Sequence, residues 1–308
     1  MSDYLEYELI TDGLEFPEGP VALDDGSVLV VELKGRRLTR VTPEGYRETI
    51  VELEGSPNGA AIGPDGDVYI CNSGGHSWPS RRDGLTLPHG VPPEYSGGWI
   101  EKVELDTAKV TRLYTEFQNI PLSGPNDIVF DETGGFWFTD MGRIFGDRIH
   151  IGSIYYVDNA GELHRGPSGL ITPNGVGLSP DGKTLYTAET LTARVRSFSL
   201  RGPGQVEPSV VEAWGYEPLF GSFTDYEVID SLAVEADGGV CVATVLRGGI
   251  TTFFDDDEPT FYKLPDAYIT NICFGGGDMR DAWFTASATG KLYKTRWPRP
   301  GLKLPFNS

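Results

Sequence analysis

The chain has 308 residues and a formal net charge of −20, a field that repels phosphate backbones and argues against a nucleic-acid partner. Hydrophobic residues make up 39 % and no apolar run approaches a membrane span, while 40 glycines suit an all-β chain full of tight turns. The three cysteines, Cys71, Cys241 and Cys273, each lie in an apolar run and read as buried free thiols, not as a disulfide framework.

The opening MSDYLEYELI is acidic and carries no basic leader, so a cytoplasmic protein is expected. Tyr4 to Ile10 alternates in part and reads as a strand that precedes the first repeat. Six repeats follow in one register. They open at Glu18 (PEGPVALDDGSVLVVE), Asn58 (PNGAAIGPDGDVYICN), Asn126 (PNDIVFDETGGFWFTD), Asn174 (PNGVGLSPDGKTLYTAE), Asp230 (IDSLAVEADGGVCVAT) and Asn271 (TNICFGGGDMRDAWFT). In each, a turn pair comes seven residues after the opening residue, as at Asp65-Gly66 and Asp181-Gly182. Further short strands such as RRLTRV, GWIEKVELD and GSIYYV complete each unit.

One such unit cannot bury its own apolar face. Six units of about four strands predict one all-β domain over 1–308, a six-bladed β-propeller. The N-terminal strand is expected to close the last blade and remove its exposed edge. Uneven spacing marks three insertions, about 73–98, 141–151 and 215–229, which read as lids.

In a propeller the first strand of each repeat lines the central channel. The openings Glu18, Asn58, Asn126, Asn174, Asp230 and Asn271 therefore ring one mouth, each with a side-chain oxygen. Oxygen donors with two carboxylates and no sulfur or imidazole describe a hard-cation site. Ca²⁺ is favoured, with Mg²⁺, Mn²⁺ and Zn²⁺ as alternatives. The second strands return to the same mouth and bring Glu32, Asn72, Asp140, Glu189 and Thr244 near it.

Together FPEGP, GPNDIVFDETGGFWFTD, TPNGVGLSPDGKTLY, VIDSLAVEADGGVCVAT and NICFGGGDMRDAWFTA resemble the SMP-30/gluconolactonase/luciferin-regenerating-enzyme family, from about Glu15 to about Trp297. The resemblance implies a six-bladed propeller with one catalytic divalent cation, held by Glu18, Asn174 and Asp230. Asn126 would be a fourth ligand or a group that positions water and substrate. It implies hydrolysis of a small-molecule lactone, the cation polarising the carbonyl and a carboxylate activating water. Asp230 is the first candidate for that carboxylate and Asp140 the second. Asn58, Asn72 and His150 are read as substrate contacts, and Asn271 and Glu189 as supports behind the site. The position that carries a sugar-binding Arg in animal members is Gly124 here, which puts an aldonolactone in question. The lids add Trp78, Tyr95, Trp99, Tyr216, Phe220, Phe223 and Tyr226, which either face the pocket or pack on the rim. Arg143 and Arg148 read as surface cations. A phosphotriesterase on the same site, a strictosidine-synthase-like relative and a non-catalytic metal-stabilised binding propeller are the rival readings. No Gly-x-Ser-x-Gly elbow supports a serine hydrolase, and the oligomeric state is left open.

Overall fold

The computed structural model describes residues 5–208, 219–255 and 257–307. Each repeat folds into an antiparallel sheet, of four strands except in the fourth blade, where a fifth strand also pairs with the third. The first strands are Pro17–Ala22, Pro57–Ile62, Pro125–Phe130, Pro173–Leu178, Ile229–Val234 and Ile269–Gly275. They neighbour one another in chain order, and the last returns to the first. The ring closes as a six-bladed β-propeller, and Tyr7–Thr11 pairs with Lys291–Arg296 to supply the outer strand of the sixth blade.

Apolar side chains from neighbouring sheets form the layers between blades. Phe136, Phe138 and Tyr155, for example, pack with Ile100 and Cys71 of the preceding blade. The Asp-Gly pairs turn the first strand into the second at the face opposite the mouth. Gly26, Gly66, Gly134, Gly182 and Gly238 all hold φ between 66° and 95°, where glycine has no Cβ to clash. In the sixth copy Met279 takes that place at φ 56°.

Each first strand is irregular at its start. The register with the second strand shifts between Glu18 and Val21, Pro57 and Ala60, Pro125 and Ile128, Pro173 and Val176, Ile229 and Leu232, and Ile269 and Asn271. A bulge re-aims side chains and frees backbone groups from the ladder. The freed groups find side-chain partners. Thr139 Oγ1 accepts the Asp127 N–H at 3.0 Å and donates to the Asn174 carbonyl at 2.6 Å, linking blades three and four. Thr139→Val should leave both buried groups unpaired and cost about 2 kcal/mol, read from denaturant midpoints. An unchanged midpoint would show that water replaces the hydroxyl.

The far end of the channel is crossed by the chain after the last blade. Buried Glu235 roots this segment, accepting from Trp297 Nε1 at 2.6 Å and Arg299 Nη2 at 3.0 Å. Leu302 then packs on blade five, Leu304 on blade four, and Phe306 against Phe130 of blade three at 5.8 Å. Above it lies a cavity of about 80 Å³ lined by Asp127, Asn271, Cys273 and Asn307, among others. Cys71 and Cys241 are buried and Cys273 half-buried, all free thiols. Burial holds each thiol up, Cys273 to about 12, which keeps them out of nucleophilic chemistry. No helix of the described residues is long and apolar enough to cross a membrane.

Candidate active site

The opening residues sit at these bulges. Glu18, Asn58, Asn126, Asn174 and Asn271 are buried, and Asp230 is half-buried. Their contacts join blades that are far apart in sequence. Asn271 Nδ2 donates to Glu18 Oε2 at 3.2 Å, and Ser287 Oγ donates to Glu18 Oε1 at 3.3 Å. Asn174 Nδ2 donates to Asp230 Oδ1 at 2.6 Å and to Thr190 Oγ1 at 3.0 Å, while its oxygen accepts from Ser231 Oγ at 3.3 Å. Asn271 thus supports Glu18 from behind, and its own oxygen is taken by the Ile272 N–H.

A third carboxylate, Asp127, belongs to this group and does not stand out in the repeat pattern. Burial raises its pKa to about 7, and the charge of Glu18 adds to the shift. Desolvation first, then the charge of Glu18, push Asp230 well above the usual carboxylate range; burial likewise raises Glu18. The signal for Asp127 lies one residue after the opening. The other copies have Gly19, Gly59, Gly175, Ser231 and Ile272 there. A Cβ at Gly59 would stand 2.7 Å from Asp127 Oδ1, so the neighbouring glycine leaves room for this carboxylate.

Three mutually repelling carboxylates in a desolvated channel call for a cation. A second observation agrees. Asn126 Oδ1 is buried without a hydrogen-bond partner, and its Nδ2 meets only the Met141 sulfur at 3.6 Å. A buried amide oxygen left unmade is costly, and an oxygen-binding divalent cation would satisfy it. The donor set therefore fits such an ion.

The second-strand ends make contacts of their own. Glu32, Asn72, Asp140 and Glu189 pair directly with Pro17, Pro57, Pro125 and Pro173, the residues before the openings. Directly opposed side chains share a face, so these groups point to the other side of the strand from the opening residue. There they clasp the loop that enters the same blade. Asp140 accepts the N–H groups of Ser123 and Gly124 at 2.7 Å and of Gly142 at 3.0 Å. Asn72 is fully buried, with its oxygen on the Ser56 and Gly74 N–H groups and its NH₂ on Glu54 O and Glu101. Glu189 accepts from Ile171 N–H, Thr192 and Arg196. Asp140, Asn72 and Glu189 are thus each engaged by the loops at the mouth end of their own blade.

The lids pack more than they line. Insertion 73–98 leaves blade two and lies over its neighbours. Trp78 stacks near Phe16 of blade one at 5.3 Å, and the Thr86 N–H donates to Ala288 O of blade six at 2.9 Å. Arg143 is not a surface cation. Its guanidinium donates to the carbonyls of Ser73, Gly75 and Ser123 and lies 3.3 Å from the His76 ring, bolting this lid to blade three. Tyr95 hydroxyl also donates to Ser123 O. Arg148 is exposed, with Asp147 beside it at 3.9 Å. His76 is held down to about 3 by burial and by the charge of Arg143, so it stays neutral. His150 is exposed on a small hairpin of the second insertion, its Nδ1 3.4 Å from Ser123 Oγ. Trp99 is buried in blade two and donates to Glu101 at 2.7 Å. Phe220 and Phe223 pack on Tyr186 and Phe253. Tyr226 is exposed, and Tyr216 lies outside the described residues.

Comparison with known proteins agrees with this architecture. Gluconolactonase of Zymomonas mobilis is 23 % identical over 87 % of this chain and 75 % of its own length. Lactonase drp35 of Staphylococcus epidermidis is 25 % identical over 74 % of this chain and 63 % of its own length. The crystal structure of a calcium-binding protein, regucalcin, from Agrobacterium tumefaciens superposes with a TM-score of 0.72 at 19 % identity, covering 97 % of this chain and 98 % of that one. The family model described as SMP-30/Gluconolactonase/LRE-like region matches residues 16–288, and the chain belongs to that family.

Proposed function

We propose that the protein is a divalent-cation-dependent lactonase. The unpartnered, buried oxygen of Asn126, next in the chain to one of three carboxylates that repel one another, is the observation that carries this reading. Glu18, Asn126, Asn174 and Asp230 would hold the ion. An all-oxygen donor set favours Ca²⁺, with Mg²⁺, Mn²⁺ and Zn²⁺ as alternatives. When bound, the ion supplies Lewis-acid polarisation of the lactone carbonyl.

The chain's own groups do the rest. Asp230 takes a proton from the attacking water as the new C–O bond forms at the carbonyl carbon. The ring C–O bond then breaks, and the proton goes to the departing alkoxide, leaving a hydroxy acid. Asn271 keeps the Glu18 carboxylate fixed. Asn58 offers an amide to the substrate, and His150 stands at the rim.

Dialysis against EDTA, then assay of aldonolactones, alkyl and aromatic lactones and an organophosphate, tests the reading. Lactone hydrolysis should fall by about 10²-fold or more and return with Ca²⁺, since the lost charge stabilisation is worth several kcal/mol. Calcium should also raise Tm, because it binds the folded state. Hydrolysis that survives EDTA sinks the metal mechanism. A Tm shift with no turnover indicates a binding propeller, and faster organophosphate cleavage a phosphotriesterase.

A further inference from the structure

Exposed large aliphatic side chains are not spread evenly over this molecule. On the far face, the turns expose only Tyr46 of the large apolar residues among those described. The mouth face carries an arc of them: Ile149, Ile151, Ile171, Leu191, Tyr226 and Leu246, with Ile151 60 %, Leu191 48 % and Leu246 50 % exposed. Among the described residues they fall in two groups, one at blades three and four and one at blade five. Ile151 and Ile171 flank the paired residues Gly152 and Leu170. The Leu191 N–H donates to Thr172 Oγ1 at 3.0 Å, beside Ile171. The Leu246 N–H donates to Glu227 Oε1 at 2.9 Å, beside Tyr226.

Apolar clusters left in water on a strongly charged chain mark a binding surface. Its position identifies the occupant. The segment Gly301–Asn307 crosses the far end of the channel, so substrate reaches the carboxylates from the mouth face. The 73–98 lid leaves blade two and touches blades six and one and the loop into blade three, through Ala288, Phe16 and Ser123. No contact of this lid with blades four and five, where Leu191, Tyr226 and Leu246 stand, is found among the described residues, and an incoming molecule meets these side chains there. A net charge of −20 and the carboxylates beneath repel anionic ligands and anionic lipid. A neutral molecule with an apolar arm meets no such barrier.

We propose that the substrates are uncharged lactones bearing an alkyl arm, the ring lying over the Glu18–Asp230 cluster and the arm on the aliphatic collar. The proposal rests on the lactonase reading above and specifies its substrate class.

A series of γ-lactones with arms from methyl to octyl tests it on the full-length protein with Ca²⁺. We expect kcat/KM to rise by about threefold per methylene until the collar is filled, the partial burial of a CH₂ group. In Leu191→Asp and Leu246→Asp the octyl-to-methyl ratio should fall by about tenfold, and Leu191→Ser should give a smaller fall if the aspartates fold poorly. A flat series, or a steep one untouched by these substitutions, overturns the collar. So does loss of self-association or of vesicle binding in the variants with the series unchanged, which would give the arc to a second copy or a lipid surface. Affinities of alkyl γ-lactams, measured by calorimetry, separate the two readings. Lactam affinity that grows with arm length in a protein that hydrolyses no lactone keeps the collar and sinks the hydrolase. Flat lactam affinity beside good lactone turnover does the reverse.

Discussion

Asp230→Asn should lower kcat/KM for lactone opening by about 10²–10⁴-fold, the range for loss of a positioned general base, while calcium affinity changes far less. The substitution keeps an oxygen donor of the same shape in the ring. It removes the ability to accept a proton and one negative charge. The Asn174 NH₂ that donates to Asp230 Oδ1 at 2.6 Å can donate to an amide oxygen just as well, so the ring should keep its geometry. One of three mutually repelling carboxylates is also gone, and the cation-free variant should melt higher than the parent. Stopped assays and a calcium titration monitored by Tm read both effects. Full activity with calcium bound would move the base role to Asp127, the carboxylate beside it with no ligand duty. Asp127→Asn would then be the variant that loses turnover.

The architecture was legible because one short pattern recurs. An apolar run, a turn pair and a second apolar run fix two strands, and six copies in one register leave few alternatives to a closed ring. The six oxygen-bearing openings were legible for the same reason, since the opening residue holds the same position in every copy. Asp127 was hidden because a strand alternates faces, so the neighbour of an inward residue is expected to point away. The bulge at the start of every first strand suspends that rule, and no residue pattern announced the bulges. The clasp contacts were hidden for a related reason. Proximity to the mouth followed from topology, but direction follows from register. Asp140 opposes Pro125 and not Asn126. A shift of one residue decides between the channel and the loop. The crossing of the far channel end by Leu302, Leu304 and Phe306 lies beyond the last repeat, where the repeat pattern makes no statement.

Asp140→Ala separates a clasp from a catalyst. The carboxylate is buried, and its two oxygens receive three backbone N–H groups from both ends of the third blade's mouth loops. Burial alone raises its pKa, and those same N–H groups pull it back down. Truncation leaves three donors without an acceptor in a site that admits little water. The expected loss is about 3 kcal/mol or more, since each unpaired buried group costs about 1–3 kcal/mol and the three share one pocket. Asparagine is a poor rescue. In blade two Asn72 can clasp with its oxygen alone, because its NH₂ faces Glu54 O and Glu101. At position 140 an NH₂ would confront a Ser123 or Gly124 N–H, donor against donor. Gly142 precedes Arg143, the bolt of the 73–98 lid. Freeing it should loosen the lid and raise KM while kcat, measured on the folded fraction well below Tm, stays within about threefold, a change of under 1 kcal/mol in the barrier. A fall in kcat of the size predicted for Asp230→Asn, with the melting temperature unchanged, would return Asp140 to the chemistry.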